Sequence, residues 1–268
     1  WAFLIPIVML FVSWRIWLRR GRDPQLRPIA AAYEPPDQLT PAELGTLIDG
    51  RPDVRDITAT LVDLAVRGFL LIEETTREHL LGLFSTTDYA FTIRRPRAAW
   101  TELLPHERDL LRAVFATGDS VRLNDLENRF YKEIPTIRAD LYERMVARGY
   151  YLHRPDRVAG VWAAIAIAVT AACGAAAFFF ANRLGQSLLA PGIATALTGV
   201  ITLGFAFVMP VRTLRCTRAL EQVLGFQEFL GRVEADRIER TILTPALFER
   251  LLPFAMALGV EKKWAAAF

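Results

Sequence analysis

Cysteine and histidine are scarce in this sequence, which holds two cysteines and three histidines among 268 residues. Cys173 lies inside an apolar run and Cys216 lies just beyond another, and two thiols at such different depths do not meet the geometry of a disulfide bond. We interpret Cys216 as an ordinary interfacial cysteine, with acylation of a juxtamembrane thiol as the alternative. None of the histidines, His79, His106 and His153, has a second ligand at metal spacing, so we expect them on the surface or in loops.

Catalytic motifs are lacking as well. The sequence contains no glycine-rich phosphate loop and no nucleophile elbow. Glu73 with Glu74, and Glu34 with Asp37, form pairs of carboxylates, but acidic pairs are common on solvated faces. We therefore predict that the chain has no catalytic residues, no cofactor-binding residues and no metal ligands, and that it is not an enzyme.

Long hydrophobic runs, in contrast, are prominent. Hydrophobic residues make up 53% of the chain and the mean hydropathy is +0.24, which is high for a soluble protein and low for a bundle made only of membrane helices. A bilayer span needs about 20 apolar residues. Residues 1–18, 158–181 and 184–211 qualify or nearly qualify, and we predict three transmembrane helices there. Only Ser13 and Arg15 interrupt the first run, and the other two carry no charge.

The distribution of arginine predicts the orientation of these spans. Basic residues follow the first span, precede the second and follow the third, whereas the turn between the second and third spans holds only Arg183. The flanking residues are Arg19, Arg20, Arg22, Arg27, Arg154, Arg157, Arg212, Arg215 and Arg218. Because Lys and Arg concentrate on the cytoplasmic side of membrane proteins, we expect a multi-pass protein of the cell (inner or plasma) membrane whose polar part is cytoplasmic.

Small residues recur every four positions in both spans of the predicted hairpin. They are Ala164, Ala168, Ala172 and Ala176 in the second span, and Ala194, Thr198, Thr202 and Ala206 in the third. Small side chains allow membrane helices to approach closely, so we predict that the two stripes face each other. A channel or transporter would need polar groups along a cavity, and the pattern does not favour one.

The polar part between the first two spans divides into a linker and two similar segments. Residues 19–39 are rich in proline and read as a juxtamembrane linker, and Thr40, Pro41 and Glu43 then form a helix start with a capping box. Two helices followed by short strands at 69–72 and 89–93 give a winged-helix pattern. Its closing motif, Arg67-Gly68-Phe69, recurs 81 positions downstream as Arg148-Gly149-Tyr150. We predict tandem winged-helix-like modules at residues 40–96 and 97–157, and a helical cytoplasmic tail at residues 212–268 that packs on the modules or the membrane surface.

The charge of this polar block weighs against nucleic acid. The whole chain has a formal net charge of +3 and a pI of about 9.1, yet residues 19–157 carry 21 basic and 22 acidic side chains. A duplex-binding protein normally presents a basic face. We therefore expect the modules to bind a protein partner, with nucleic-acid binding as the less favoured alternative.

Several stretches together resemble the YciQ-like predicted membrane proteins, a bacterial and archaeal family known as a domain of unknown function. The stretches are Gly21-Arg22-Asp23-Pro24, Tyr33-Glu34-Pro35-Pro36-Asp37, Asp56-Ile57-Thr58-Ala59-Thr60-Leu61 with Arg67-Gly68, Leu252-Pro253-Phe254-Ala255, Ala257-Leu258-Gly259-Val260 and Trp264 through Phe268. The resemblance covers nearly the whole chain. It implies an extracytoplasmic, β-rich domain before residue 1, and it implies no settled activity or catalytic residues.

The sequence therefore predicts a mainly α-helical membrane protein with tandem cytoplasmic winged-helix-like (α+β) modules and a helical tail. We expect a cell-envelope scaffold or signal-coupling protein whose partners are the lipid bilayer and a cytoplasmic protein. The alternative is a membrane-tethered, nucleic-acid-binding transcriptional regulator. A basic stripe on the folded modules would favour the regulator, and an apolar or mixed groove would favour the scaffold.

Overall fold

The computed structural model describes residues 2–79, 84–126, 129–185, 187–232 and 244–268, with side chains for all of these except residues 20, 75–79 and 84–87. The helices are α1 Leu4–Arg20, α2 Pro41–Asp49, α3 Val54–Val66, α4 Pro105–Val114, α5 Leu123–Leu126, α6 Ile134–Ala147, α7 Pro155–Leu184, α8 Leu189–Val208, α9 Leu214–Gly231, α10 Pro245–Ala257 and α11 Glu261–Ala266. The strands are β1 Leu70–His79, β2 Phe84–Ile93 and β3 Ser120–Arg122, and short 3-10 helices cover Pro36–Gln38, Arg97–Glu102 and Phe130–Lys132. The chain forms two compact units, an apolar unit of Trp1–Leu26 with Val146–Thr217 and a polar unit of Arg27–Met145 with Arg218–Phe268.

The apolar unit contains the three predicted spans. By length and composition, α7 and α8 can each cross a bilayer, and only 6% of the most apolar stretch of α7 and 28% of that of α8 are buried. A core helix of a soluble protein would be mostly buried, whereas these helices expose apolar side chains along their length. The first predicted span falls on α1, whose 17 residues are slightly fewer than a full span requires. A membrane crossing by α1 therefore stays a prediction.

Predicted span boundaries were least accurate at the hairpin turn. The third span was placed at residues 184–211, but Leu184 is the last residue of α7 and α8 begins only at Leu189. Gly185 ends α7 in a left-handed conformation with φ +61°, a common way for a glycine to terminate a helix. Pro191 then lies in the first turn of α8, where a missing backbone N–H costs no helical hydrogen bond.

Two apolar cavities between α1, α7 and α8 define the directions of these helices. One is lined by Ile5 near the start of α1, by Phe180 near the end of α7 and by the first half of α8. The other is lined by Ile16 near the end of α1, by Trp162 near the start of α7 and by Thr202 from the second half of α8. α1 therefore runs parallel to α8 and antiparallel to α7. As a result, the end of α1, the start of α7 and the end of α8 lie at the same end of the apolar unit.

The predicted packing stripe is confirmed on α8 and wrong on α7. Ala194, Thr198, Thr202 and Ala206 are all buried in α8, but Ala164, Ala168, Ala172 and Ala176 are all exposed. The face of α7 that meets α8 includes Ala166, Thr170 and Gly174, since Thr170 lies beside Gly199 and Gly174 beside Thr195. α7 carries alanine on every side, so small-residue spacing did not distinguish its packed face from its opposite face.

Gly199 is expected to be the least replaceable residue of this contact. A side-chain carbon at Gly199 would lie 3.0 Å from the Oγ1 and 3.1 Å from the Cγ2 of Thr170. We expect Gly199→Leu to destabilise the hairpin by about 1–3 kcal/mol, the usual cost of overpacking, while leaving insertion intact because leucine inserts readily. Heat-induced unfolding in micelles measures the loss. Gly204→Leu is the control, since no atom lies within 4 Å of the carbon it would add, and equal stabilities for the two variants would contradict the assignment.

Helix starts in the polar unit follow local capping signals. Thr40 and Glu43 form the predicted capping box at α2, and Pro41 occupies its first turn. Asp53 and Asp56 form a second capping box at α3. Such caps satisfy backbone N–H groups that have no partner within the helix, and because their signals are local in sequence, the start of α2 was predicted closely.

The two predicted modules share one sheet and one hydrophobic core. β2 pairs with β1 and with β3, so that Phe91 lies opposite Val121, and the second segment contributes a strand to the sheet of the first. The core includes Ile57 and Leu64 from the first segment together with Leu141 from the second. Residues 40–145 thus fold as one body, whereas residues 146–157 of the second predicted module belong to the apolar unit. The winged-helix interpretation of each segment stays a prediction.

Linker residues 27–39 and tail residues 218–268 belong to the polar unit. From Arg27 onward the extended linker follows α9, with contacts three residues apart on the linker and four apart on the helix. These are the backbone N–H of Arg27 donating to Glu221 Oε1 at 2.7 Å, the Ala30 carbonyl against Gly225, and the Tyr33 ring edge-on to Phe229 with centroids 5.1 Å apart.

The tail packs on the polar unit, as one of the two predicted alternatives required. α10 lies against α2 and α3, and Trp264 of α11 is fully buried. Gly259, with φ +68°, follows the end of α10. Residues 234–240, a charged stretch of the tail sequence, lie outside the described residues.

Candidate functional site

The strongest cluster of charged groups in the described part of the chain is buried where α2, α3, α4 and α6 meet. Arg67, the residue that caps the end of α3, donates from Nη1 to Glu107 Oε1 of α4 at 2.7 Å and to Asp63 Oδ2 at 3.0 Å. Arg144 of α6 donates from Nε to Glu43 Oε1 of α2 at 2.9 Å. Glu43 and Glu107 are inaccessible to solvent or nearly so. Each buried carboxylate therefore has a cation, which is the condition under which buried charge is tolerated.

His106 lies beside these ion pairs, and the prediction that it is a surface or loop residue was wrong. It occupies the first turn of α4 and is buried, and neither ring nitrogen has a hydrogen-bond partner among the described residues. Burial lowers the pKa of His106, although Glu107 and Glu43 act in the opposite direction. The imidazole is therefore neutral near pH 7. His153 is exposed, as predicted, and the side chain of His79 lies outside the described residues.

Asp56 is a second buried carboxylate, on the side of α3 that faces α2. Burial raises the pKa of Asp56 to about 7. Its Oδ2 accepts the backbone N–H of Asp53 at 2.9 Å, and its Oδ1 has no hydrogen-bond partner among the described residues. A side-chain carbon at Gly45 would overlap this carboxylate, so glycine is required there. Asp56 thus titrates near neutral pH, a property that is enriched at functional sites.

Asp63 shows the same effect of burial within the ion-pair cluster. Burial raises the pKa of Asp63, and the hydrogen bond from Arg67 opposes that rise. The charged groups of the cluster therefore pair with one another, and burial disfavours their ionised forms. Within the described residues, no group of three or more His, Cys, Asp or Glu side chains is placed to hold a metal ion. The geometry suits the cluster to holding four helices in register.

The basic end of the apolar unit is the other concentration of polar groups. There Tyr151 forms a backbone bridge with Arg212, and the backbone N–H of Arg212 donates to Asp23 Oδ1 at 2.8 Å. Thr213 Oγ1 donates to the carbonyl of Gly149 at 2.7 Å. These bonds join the segments that follow α1, precede α7 and follow α8.

Cys216 lies at the same end and is fully buried. Burial raises the pKa of its thiol to about 11. A buried, protonated thiol is a poor nucleophile, which favours the interpretation of Cys216 as an unmodified cysteine over acylation. Both cysteines are free thiols, in agreement with the sequence.

An apolar unit with two helices of spanning length, joined to a polar unit, is the organisation of a membrane protein. Residues 29–268 match the family model described as "Predicted membrane protein (DUF2207) C-terminal domain", and the chain belongs to this family. No curated protein matches the chain, and no solved structure matches it. The family description assigns no activity, and the more specific YciQ-like resemblance stays a prediction.

Proposed function

We propose that the chain is a three-span membrane protein whose polar unit lies in the cytoplasm and acts as a non-catalytic scaffold or signal-coupling module for a protein partner. The observation that carries the proposal is that the charged side chains of the buried cluster pair with one another inside the polar unit. Arg67 and Arg144 face buried carboxylates rather than a ligand, and His106 has no access to solvent. The polar unit therefore presents its surface to partners, while the buried carboxylates and His106 lie inside it.

The orientation is supported by the directions of α1, α7 and α8. Because α1 is parallel to α8 and antiparallel to α7, every arginine-rich flank lies at one end of the apolar unit. Arginine on the cytoplasmic side is the arrangement that the positive-inside rule favours. The apolar face of α1 supports a membrane crossing by this helix as well. Its exposed residues, Leu4, Ile7, Phe11 and Trp14, are all more than half exposed.

A protein partner is favoured over nucleic acid by the positions of the basic residues. A duplex-binding face would have to gather Arg122, Arg129, Lys132, Arg138, Arg144 and Arg148. Arg144 is paired with Glu43, and Arg122 Nε lies 3.5 Å from Asp125 Oδ2. Arg148 belongs to the apolar unit. Few phosphates would be neutralised at once, and counterion release, the main source of non-specific affinity, would be small.

The open cleft between α4 and α6 has the mixed character that favours the scaffold. It has a volume of about 460 Å³ and is lined by three basic side chains, Arg112, Arg129 and Lys132, and by the acidic Asp109 and Glu133. Arg112 is already paired with Asp109 at 3.0 Å.

An exposed apolar patch of Tyr89 and Leu123 supplies the kind of surface that protein partners bury. The hydrogen bond from Asn124 Nδ2 to Asp88 Oδ2, at 3.2 Å, holds α5 against β2 beside it.

Cysteine labelling in intact cells tests the orientation. In a Cys173→Ala background that keeps the buried Cys216, we expect an impermeant maleimide to label Leu189→Cys at the start of α8. We expect Asp119→Cys, whose side chain is exposed on the polar unit, to be labelled only after the membrane is permeabilised. Labelling of Asp119→Cys in intact cells would overturn the cytoplasmic assignment.

Two measurements on the full chain in lipid nanodiscs test the function. We expect duplex DNA to bind weakly and with a shallow dependence on salt, because residues 19–157 carry nearly equal numbers of opposite charges. Tight binding with a steep salt dependence would replace the scaffold with the regulator.

For the partner, we expect Leu123→Arg to abolish proximity labelling of a specific cytoplasmic protein that Glu102→Arg, an exposed control, leaves unchanged. If both variants keep the labelling, the result contradicts a protein-docking role for this patch.

A further inference from the structure

The two cavities of the apolar unit belong to one groove, with α8 as its floor and α1 and α7 as its walls. The lining residues recur along a single face of each helix. On α1 they include Ile5, Val12 and Ile16, and on α7 they include Trp162, Ala166 and Ala177. From Ile5 to Ile16 the groove extends about 16 Å along α1, at about 1.5 Å per residue. This length matches one leaflet of a hydrocarbon core that is about 30 Å thick.

The groove is apolar in spite of the threonines on its floor. Thr198 Oγ1 donates to the Ala194 carbonyl at 2.9 Å, and Thr202 Oγ1 donates to the Thr198 carbonyl at 2.8 Å. Both hydroxyls are therefore satisfied within α8. The cavities measure about 120 and 250 Å³, and apolar cavities of roughly 150 Å³ stay dry and take apolar ligands. The groove suits a hydrocarbon rather than water.

The dimensions also favour a thin occupant. The groove lies between helices, and an acyl chain has the cross-section of single methylene groups.

The groove ends at the basic end of the apolar unit. Nine arginines and two acidic residues lie in the segments at that end. They are Arg15, Arg19, Arg20, Arg22, Arg148, Arg154, Arg157, Arg212 and Arg215, with Asp23 and Asp156. Both acids are engaged, since Asp23 accepts the Arg212 backbone N–H and Asp156 is paired with Arg154. On α1, Arg15 and Arg19 are exposed and follow Val12 and Ile16 by three residues each, so they share the face that lines the groove.

We propose that this groove binds one acyl chain of an anionic phospholipid, with the headgroup phosphate held by Arg15 and Arg19. The long arginine side chains reach from the membrane to the headgroup layer, and each positive charge near an anionic surface adds to the affinity. The site rests on the proposed membrane embedding of α1. Cysteine labelling tests the orientation of the chain separately, so a wrong orientation and an empty groove give different results.

Native mass spectrometry of the full chain tests the site. The chain is purified in a mild detergent, delipidated, and titrated with palmitoyl-oleoyl phosphatidylglycerol or with the phosphatidylcholine of the same chains. We expect one phosphatidylglycerol per chain to persist at activation energies that remove phosphatidylcholine. Val12→Trp, which fills the wider cavity, should weaken phosphatidylglycerol binding at least about tenfold. Val8→Trp is the matched control on α1, because Val8 is exposed and lines neither cavity.

A second variant keeps the test informative if Val12→Trp does not fold. Arg15→Gln with Arg19→Gln leaves the groove intact and should remove the preference for phosphatidylglycerol over phosphatidylcholine, whereas Arg183→Gln at the opposite end of α7 should not. Unchanged phosphatidylglycerol binding in this double variant and in Val12→Trp would overturn the site. A dimer of the parent chain that Val12→Trp dissociates would assign the groove to a second copy and overturn the lipid.

Discussion

Arg67→Met is expected to lower the free energy of opening of α3 and α4 by about 3 kcal/mol, near the lower end of the cost of breaking a buried ion pair. The substitution keeps most of the side-chain volume but leaves Glu107, whose side chain is 1% exposed, without its cation, and Asp63 without its nearest one. The lower end applies because the Arg67 side chain is itself 37% exposed. Hydrogen exchange of α3 and α4 amides in the full chain measures this local stability directly.

Two further variants separate charge from packing. Arg112→Met removes an ion pair with Asp109 in which the arginine side chain is 62% exposed, and such surface pairs contribute about 0–1 kcal/mol. Arg67→Met combined with Glu107→Gln removes the orphaned charge and keeps an oxygen for the Leu104 N–H that Glu107 accepts at α4. We expect the combination to recover much of the loss. Equal effects of Arg67→Met and Arg112→Met would mean that the buried cluster does not stabilise the polar unit.

Gly225→Ala is expected to release the linker from α9. In an ordinary helix this substitution stabilises by about 1 kcal/mol, but here the added carbon would overlap the backbone carbonyl of Ala30. Because a backbone cannot rotate away as a side chain can, we expect a net loss of about 1–3 kcal/mol, as in other overpacked sites. Limited proteolysis should cleave residues 27–33 faster than in the parent chain.

The matched control for the linker is Gly231→Ala in the same helix. The carbon added there would meet Val260 at 3.6 Å, an ordinary contact, so the linker should remain protected. If Gly225→Ala instead raised the melting temperature and left the linker protected, the close approach of Ala30 to α9 would be wrong.

The sequence predicted those parts of the fold that depend on neighbouring residues. The starts of α2 and α3 follow from the capping boxes at Thr40 and Asp53, and the ends of α2 and α10 follow from glycines at positions 50 and 259. The pairing of Phe91 with Val121 joins residues far apart in the chain. It did not follow from local pattern, and the division into two modules therefore missed the shared sheet.

The buried charges were missed because a polar stripe on a helix normally faces solvent. Along α3 and its C-cap, Asp56, Thr60, Asp63 and Arg67 recur at helical spacing, and this pattern is typical of a solvated stripe beside the apolar face of Ile57 and Leu64. In the fold both sides are covered, one by the hydrophobic core and the other by groups from α2 and α4. The sequence signal was that His106 and Glu107 directly follow Pro105 at the start of an amphipathic helix. This signal indicates buried charge only when the tertiary partners of the two side chains are known.

The opposite pKa shifts of His106 and Asp56 have a consequence for how the polar unit responds to acid. The pKa of His106 lies below 6.5 in the folded state, so its contribution to stability is present above that pH and is lost as the pH falls. The pKa of Asp56 lies at about 7 instead of 3.8, so its contribution is present at low pH and is lost as the pH rises through 7. Just below pH 6.5, unfolding thus takes up a proton at His106 and releases one at Asp56, and these two linked protons offset each other. Replacing either residue alone would therefore shift the pH dependence of the stability in opposite directions.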